Sequence, residues 1–231
     1  MSQSVSNIAR SRQQNGWRGL FTCAIALLAG LWGTALADTS VWEVSSGDNT
    51  VYLGGTVHLL RPSDYPLPPE YEEAYGASTE IYFETDISSL NDLSIQAQMM
   101  QQLTYSDGRT LRAVLNDEAY TALSDTVSQY GLPLPMLETF KPGLLVSTLQ
   151  VLAFQRMGFT PQGVDAFFDT RAMGDGKSRG QLETVQEQIG FLAAMGEGNE
   201  SEFILLSLRD LDTIESDMEG MLTAWREGNA S

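Results

Sequence analysis

TVYLGGTVHLLRPSDYPLPPEYEEAYGASTEIYFETD, residues 50–86, is the stretch that decides the predicted fold of this 231-residue chain. Its opening, TVYLGGTVHLL, has the β-branched and aromatic content of a strand. The segment RPSDYPLPPE must interrupt that strand, because proline has no N–H to donate to a β-ladder, and EYEEAYGAS then predicts a helix. TEIYFETDI predicts a second strand. The order strand, helix, strand over this length is typical of a βαβ unit, in which the two strands lie parallel.

The flanking sequence supplies the rest of the predicted architecture. Upstream, VWEVSS and the turn residues Gly47, Asp48 and Asn49 predict a hairpin with the first strand. Downstream, residues 88–174 show apolar residues at helical spacing, SRGQLE predicts a short strand, and a final apolar stripe predicts a long helix. We therefore predict an α/β fold, with α+β as the alternative. It has a mixed sheet with a βαβ unit at residues 50–86, a largely helical middle and a long C-terminal amphipathic helix.

Residues 1–37 have the three parts of a secretory signal peptide in the required order. Arginines and no acids open the chain, the apolar run GLFTCAIALLAGLWG follows, and Ala35 and Ala37 supply the small residues of a cleavage site. The apolar run is shorter than the roughly 20 residues of a spanning helix. We predict cleavage after Ala37, a periplasmic or secreted mature chain, and no stable membrane insertion after cleavage. An uncleaved N-terminal anchor is the alternative.

The balance of acidic and basic residues indicates which kinds of partner the protein can bind. The chain carries 13 basic and 30 acidic residues, a net charge of −17. Nucleic acid is not an expected partner, because its binding depends on Lys and Arg contacts to phosphates. A solvated acidic surface is typical of a soluble exported protein. The one cysteine, Cys23, lies in the predicted signal peptide, so we expect no disulfide in the mature chain.

The only histidine, His58, follows two glycines near the end of the first predicted strand. Any mechanism that needs an imidazole must use it. Glu84 and Asp86 end the second predicted strand, Glu183 ends a later one, and ligands bind at the carboxyl ends of parallel strands. Each residue also has a structural interpretation. His58 could be a histidine that only makes structural hydrogen bonds at a strand end, and the acids could be turn or capping residues.

Carboxylates beside an imidazole can bind a divalent metal ion or act as general acid and base. A set composed of His58, Glu84 and Asp86 is rich in oxygen and favours manganese, magnesium or cobalt. Zinc is disfavoured, because the sequence has neither an HExxH motif nor paired cysteines. The sequence contains no Walker loop or GxGxxG fingerprint for a nucleotide and no GxSxG elbow for a serine hydrolase.

An ordered series of motifs resembles the TraB, PrgY and GumN family, most closely its secreted GumN-like bacterial branch. The series spans residues 41–226 and comprises VWEV, YLGGTVHLL, YPLPPEYEEAY, YFETD, KPGLL, GVDAFFDTRA and GKSRGQLETVQEQIGFL. The GxxH at residues 55–58 is a weak signal alone, whereas the ordered set is specific.

The resemblance implies a fold related to erythromycin esterases and Tiki metalloproteases, with a manganese or cobalt ion and a site built on a GxxH histidine and a strand-end glutamate. It assigns Gly55 and His58 to the GxxH, Glu84 to the E-x-D block and Glu183 to the LET block. The family pattern has a second GxxH after the long helix, and this sequence does not contain it. We therefore expect a TraB/GumN-like domain at residues 38–231 that is incomplete at its C-terminus.

These expectations favour a metal-dependent hydrolase with catalytic residues His58, Glu84 and Glu183 and metal ligands His58, Glu84 and Asp86. Peptides and small molecules are both open as substrates, and so is the oligomeric state. Two alternatives remain. One is a non-catalytic periplasmic protein that binds a ligand or peptide in a regulatory role, and the other is an inactive fragment.

Overall fold

The computed structural model describes residues 4–7 and 39–229. The predicted signal peptide and its cleavage after Ala37 lie outside these residues, apart from a short strand, β1 (Ser4–Asn7). The chain divides into two compact units that interleave in sequence. Unit 1 comprises the described residues within 1–55, 68–78 and 222–231, and unit 2 comprises residues 56–67 and 79–221.

Unit 1 is built on an antiparallel sheet in the order β1, β2, β3. Its further elements are β2 (Val41–Ser46), β3 (Asn49–Gly54), α1 (Pro69–Ala77) and the last turn of α8 (Glu200–Arg226). The hairpin predicted between β2 and β3 is confirmed, and Gly47 takes the left-handed conformation that its turn requires (φ 63°). Tyr71 and Trp225 pack with ring centroids 5.5 Å apart, and the Trp225 indole N–H donates to the Gly55 carbonyl at 2.8 Å.

Unit 2 is mostly helical. Its helices are α2 (Leu93–Leu103), α3 (Leu111–Val114), α4 (Asp117–Gln129), α5 (Pro142–Arg156), α6 (Val164–Asp175), α7 (Val185–Ala194) and most of α8. Short 3₁₀ turns lie at Pro62–Asp64, Ile87–Asn91 and Leu134–Met136. One parallel pair of strands, β4 (Glu80–Phe83) and β5 (Ser178–Gln181), completes the unit.

The core of unit 2 is formed by apolar side chains at helical spacing. The main cluster joins α3, α4, α5 and α8, and its fully buried members are Leu111, Ala119, Leu123, Val127, Leu145, Leu149 and Ile204. Each buried leucine stabilises the fold by roughly 1.5–3 kcal/mol through its removal from water. A smaller cluster joins α2 and α7 around Leu103 and Ile189. Within the described ranges, no helix has the length and apolar character needed to cross a bilayer.

The predicted fold class, the helical middle and the long C-terminal helix are confirmed, but the predicted βαβ unit is wrong in its strand partners. The predicted mixed sheet is also wrong for the described residues, which form two separate sheets. β3 pairs antiparallel with β2 in one sheet, and β4 pairs parallel with β5 in the other. In addition, β3 ends at Gly54 and does not extend to His58. The physical reason is that a two-residue turn gives β3 a local antiparallel partner, whereas β4 obtains its partner from a distant part of the chain.

Candidate functional site

His58 lies in the segment after β3, here called the His58 loop (residues 57–61), rather than within a strand. Backbone hydrogen bonds hold this loop on both sides of the histidine. The Val164 N–H donates to the Val57 carbonyl at 2.9 Å, and Leu60 forms an antiparallel bridge with Thr160. The loop is therefore fixed although the His58 side chain is 66% exposed.

Arg61 anchors the end of the His58 loop. Its Nε lies 3.1 Å from Asp64 Oδ2, its Nη2 lies 3.2 Å from Glu219 Oε2 on α8, and its guanidinium carbon lies 4.6 Å from the centre of the Phe159 ring. The hydrogen bonds to Glu219 and Asp64 raise the pKa of Arg61 above its ordinary value, which is already high. Arg61 is thus a permanent cation that connects the loop to α8.

Gly163 allows the start of α6 to approach the His58 backbone. A Cβ atom at this position would lie 2.2 Å from the Val57 carbonyl oxygen and 2.3 Å from the His58 carbonyl carbon. The φ of Gly163, −84°, is ordinary for any residue. Glycine is therefore required here for space and not for conformation, and the first turn of α6 lies directly against the His58 loop.

Asp165, in that first turn, contacts the His58 imidazole. Its Oδ2 lies 2.6 Å from Nδ1, and its side chain is only 9% exposed. An ionised carboxylate can only accept a hydrogen bond, so its partner in this contact would be an Nδ1–H group. The N-terminus of α6 favours the negative charge of Asp165.

Glu84 follows β4 and lies near the other ring nitrogen. Its Oε2 is 3.6 Å from His58 Nε2, and its side chain is 54% exposed. This distance is too long for a hydrogen bond but lies within ion-pair range when the imidazole is protonated. His58 thus has a buried carboxylate at Nδ1 and a solvent-exposed carboxylate near Nε2.

The pairing of β4 with β5 brings Glu183 beside Glu84. Phe83 pairs with Gln181 in the parallel register, and beyond that pair the Glu183 N–H donates to the Glu84 carbonyl at 2.8 Å. Both glutamate side chains are exposed. Parallel strands end at one edge of a sheet, so Glu84 and Glu183 leave it side by side.

Asp86 caps the 3₁₀ turn that follows β4. Its Oδ1 accepts hydrogen bonds from the Ser88 N–H, at 3.1 Å, and from the Ser88 hydroxyl, a common role for an acid in a turn. Among the described residues, no group of three or more His, Cys, Asp or Glu side chains could hold a metal ion. The role of Asp86 as a ligand stays a prediction.

Asp165 is a contact of His58 that the sequence did not predict. It lies 107 positions from His58, within the block GVDAFFDTRA. An acid in the first turn of a helix is ordinary and attracts no attention. The structure buries Asp165 beside Val164 and Phe168, and an aspartate is rarely buried without a partner. This burial exists only in the folded chain, so the sequence carried no local signal for the contact.

The model of the TraB/PrgY/gumN family matches residues 40–231, which include the His58 loop, both strand-end glutamates and α6. The chain belongs to the TraB/PrgY/gumN family. This result confirms the resemblance inferred from the ordered motifs. No curated protein matches the chain. No solved structure matches it either.

In this TraB/PrgY/gumN protein we expect an NMR titration of the metal-free chain to give His58 a pKa above 6.5. The hydrogen bond with Asp165 raises the pKa, partial burial opposes the shift, and the charges of Asp165 and Glu84 add to it. The folded state therefore favours the protonated imidazole. The resulting stabilisation is fully present below pH 6.5 and is lost as the pH rises through the folded-state pKa.

The titration needs no resonance assignment, because the chain has one histidine. The unfolded protein in denaturant is the control and should titrate near the ordinary value of about 6.5. A folded-state pKa at or below that of the unfolded chain would contradict the contact with Asp165.

Proposed function

We propose that this protein is an exported, metal-dependent hydrolase that cleaves peptides at a site formed by His58 and Glu84. The observation that carries the proposal is the arrangement around one imidazole. Asp165 Oδ2 lies 2.6 Å from Nδ1, and Glu84 Oε2 lies 3.6 Å from Nε2. Metal-ligating histidines typically donate one ring N–H to a carboxylate and bind the ion through the other nitrogen.

The donor types fit manganese or cobalt. Imidazole nitrogen and carboxylate oxygen are both ligands that such ions accept. His58 Nε2 and Glu84 would hold the ion, and water or substrate would fill the remaining positions. When bound, the ion would polarise the scissile carbonyl and lower the pKa of a bound water.

The side chains around the site have distinct tasks in this proposal. Asp165 keeps the proton on Nδ1, so Nε2 presents a lone pair. Glu84, which is exposed beside Nε2, would supply a carboxylate oxygen to the ion. Glu183 adds negative charge at the same edge and favours a cation there.

Two further parts of the proposal rest on sequence. Export rests on the signal-like residues 1–37, and peptide as the substrate class rests on the resemblance to Tiki metalloproteases. The exposure of both His58 and Glu84 supports access by a large substrate such as a peptide.

Glu84→Gln is expected to lower the affinity for Mn²⁺ by at least tenfold, because it removes the negative charge of one of the two proposed ligands, Glu84 and His58. Isothermal titration calorimetry with Mn²⁺ alone measures this loss. The same variant is expected to lose peptide cleavage, which mass spectrometry of a peptide library would follow with Mn²⁺, with Co²⁺ and with EDTA.

Glu80→Gln is the matched control, since it removes the same charge at the other end of β4 and should leave both properties unchanged. Asp86→Asn tests the third predicted ligand, and a loss of affinity would add Asp86 to the site. Cleavage that persists unchanged in EDTA would contradict metal dependence. Saturable peptide binding without product would favour the regulatory alternative over the hydrolase.

A further inference from the structure

We infer that Asp165 is a positioning residue that fixes His58 in the tautomer with Nε2 unprotonated, and that Gly163 provides the space for this contact. The catalytic meaning of the inference rests on the proposed function, whereas the contact between Asp165 and His58 does not depend on it.

The contact has the features of a strong, specific hydrogen bond. Asp165 Oδ2 and His58 Nδ1 are 2.6 Å apart, and the carboxylate is almost entirely buried. Charge-assisted hydrogen bonds are the short ones. A buried carboxylate is unfavourable without a partner, so the fold itself favours an imidazole that keeps a proton on Nδ1.

The start of α6 is held where the contact requires it. The Val164 N–H donates to the Val57 carbonyl at 2.9 Å, and Gly163 lies in van der Waals proximity to the backbone of residues 57 and 58. These interactions set the separation between α6 and the His58 loop before any side chain is considered. Asp165, one residue after Val164, then reaches the imidazole.

α6 carries a second buried aspartate one turn later, which provides an internal control. Asp169 Oδ1 lies 2.7 Å from Nη1 of Arg179 on β5. Both aspartates are buried on the same helix, and each has a different partner. Loss of Asp169 should therefore affect stability as much as loss of Asp165, but it should not affect the tautomer of His58.

The tautomer decides what His58 can do. A neutral imidazole without a carboxylate partner shares its proton between the two nitrogens. With the proton on Nε2, that nitrogen becomes a donor and can no longer bind a metal ion or accept a proton near Glu84. Loss of Asp165 would thus impair the site without removing any group that contacts substrate.

The experiment uses protein labelled with ¹⁵N at histidine, purified without a histidine tag and without metal, at a pH well above the pKa of His58. The single histidine gives one pair of ring-nitrogen signals, and their shifts report the tautomer. We expect the Nδ1–H form in the wild type and in Asp169→Asn. In Asp165→Asn and Asp165→Ser we expect a shift toward the Nε2–H form.

Turnover of the metal-loaded protein provides the second readout. Asp165→Asn is expected to reduce kcat by about 10- to 100-fold, as when the carboxylate that orients a metal-ligating histidine is removed, with KM changed less. Asp169→Asn should keep kcat when corrected for the folded fraction measured by circular dichroism.

A wild type with mainly the Nε2–H tautomer would overturn the inference, and this measurement needs no variant to fold. A folded Asp165→Asn or Asp165→Ser protein with an unchanged tautomer would also overturn it. If the tautomer changes as expected but the wild type has no hydrolase activity, the proposed function fails and the positioning role stands.

Discussion

Gly163→Ala is expected to lower the free energy of unfolding by about 3 kcal/mol or more. The new Cβ would clash with backbone atoms, which cannot move aside as the end of a flexible side chain can. The carbonyl oxygens of Val57 and His58 would lie 2.2 Å and 2.4 Å from that Cβ. Relief of the clash requires α6 and the His58 loop to separate, which would also break the contact between Asp165 and His58. Denaturant unfolding followed by circular dichroism measures the stability.

Gly174→Ala on the same helix is the matched control. A Cβ at Gly174 would have no heavy atom of the described residues within 4 Å. Alanine has a higher helix propensity than glycine, so this variant is expected to gain up to about 1 kcal/mol. The two variants make the same chemical change with opposite expected signs. A Gly163→Ala protein as stable as the wild type would show that α6 does not approach the loop closely.

His58→Ala is expected to abolish metal uptake and to reduce turnover by about 10³-fold or more, since it removes both the proposed nitrogen ligand and the only imidazole. Its effect on the fold should be small, because the side chain is 66% exposed. Calorimetry with Mn²⁺ and cleavage of a peptide library measure the two losses, and the unfolding transition confirms that the variant is folded.

Thr56→Ala is the control for His58→Ala, because it truncates another exposed side chain two residues earlier in the same connection. It should retain metal binding and turnover. Hydrolysis at the wild-type rate in His58→Ala would contradict the proposed site. Loss of turnover with metal binding retained would instead assign His58 as a base rather than a ligand.

The helices of unit 2 could be predicted from the sequence, because helix formation is governed by local patterns. α4, for example, begins at Asp117 after the capping residue Asn116, whose side chain accepts a hydrogen bond from the Ala119 N–H. Its buried residues Ala119, Leu123 and Val127 recur every four positions. Both signals lie within one short segment, and the periodic stripe needs only some apolar partner to become buried.

Local patterns in the sequence did not predict every pairing between strands. β2 and β3 were predicted correctly as a hairpin, because a two-residue turn determines its own pairing. β4 has the composition of a strand but contains no local signal for its neighbour. Its pairing with β5 depends on how the intervening helices pack, and local periodicity carries no information about that arrangement.

The sequence by itself determined the candidate chemistry: one histidine, His58, and acids at the ends of two strands, Glu84 and Glu183. Residue type and position relative to a strand end are local properties, so a single sequence is sufficient to identify them. Only the tertiary structure decided which groups meet. The parallel pairing of β4 and β5 placed the two glutamates at one edge, and Gly163 brought the first turn of α6 to the His58 loop. Asp165 could not be recognised from its surroundings in the chain, because its meaning depends on a contact across 107 positions that forms only when the helix packs.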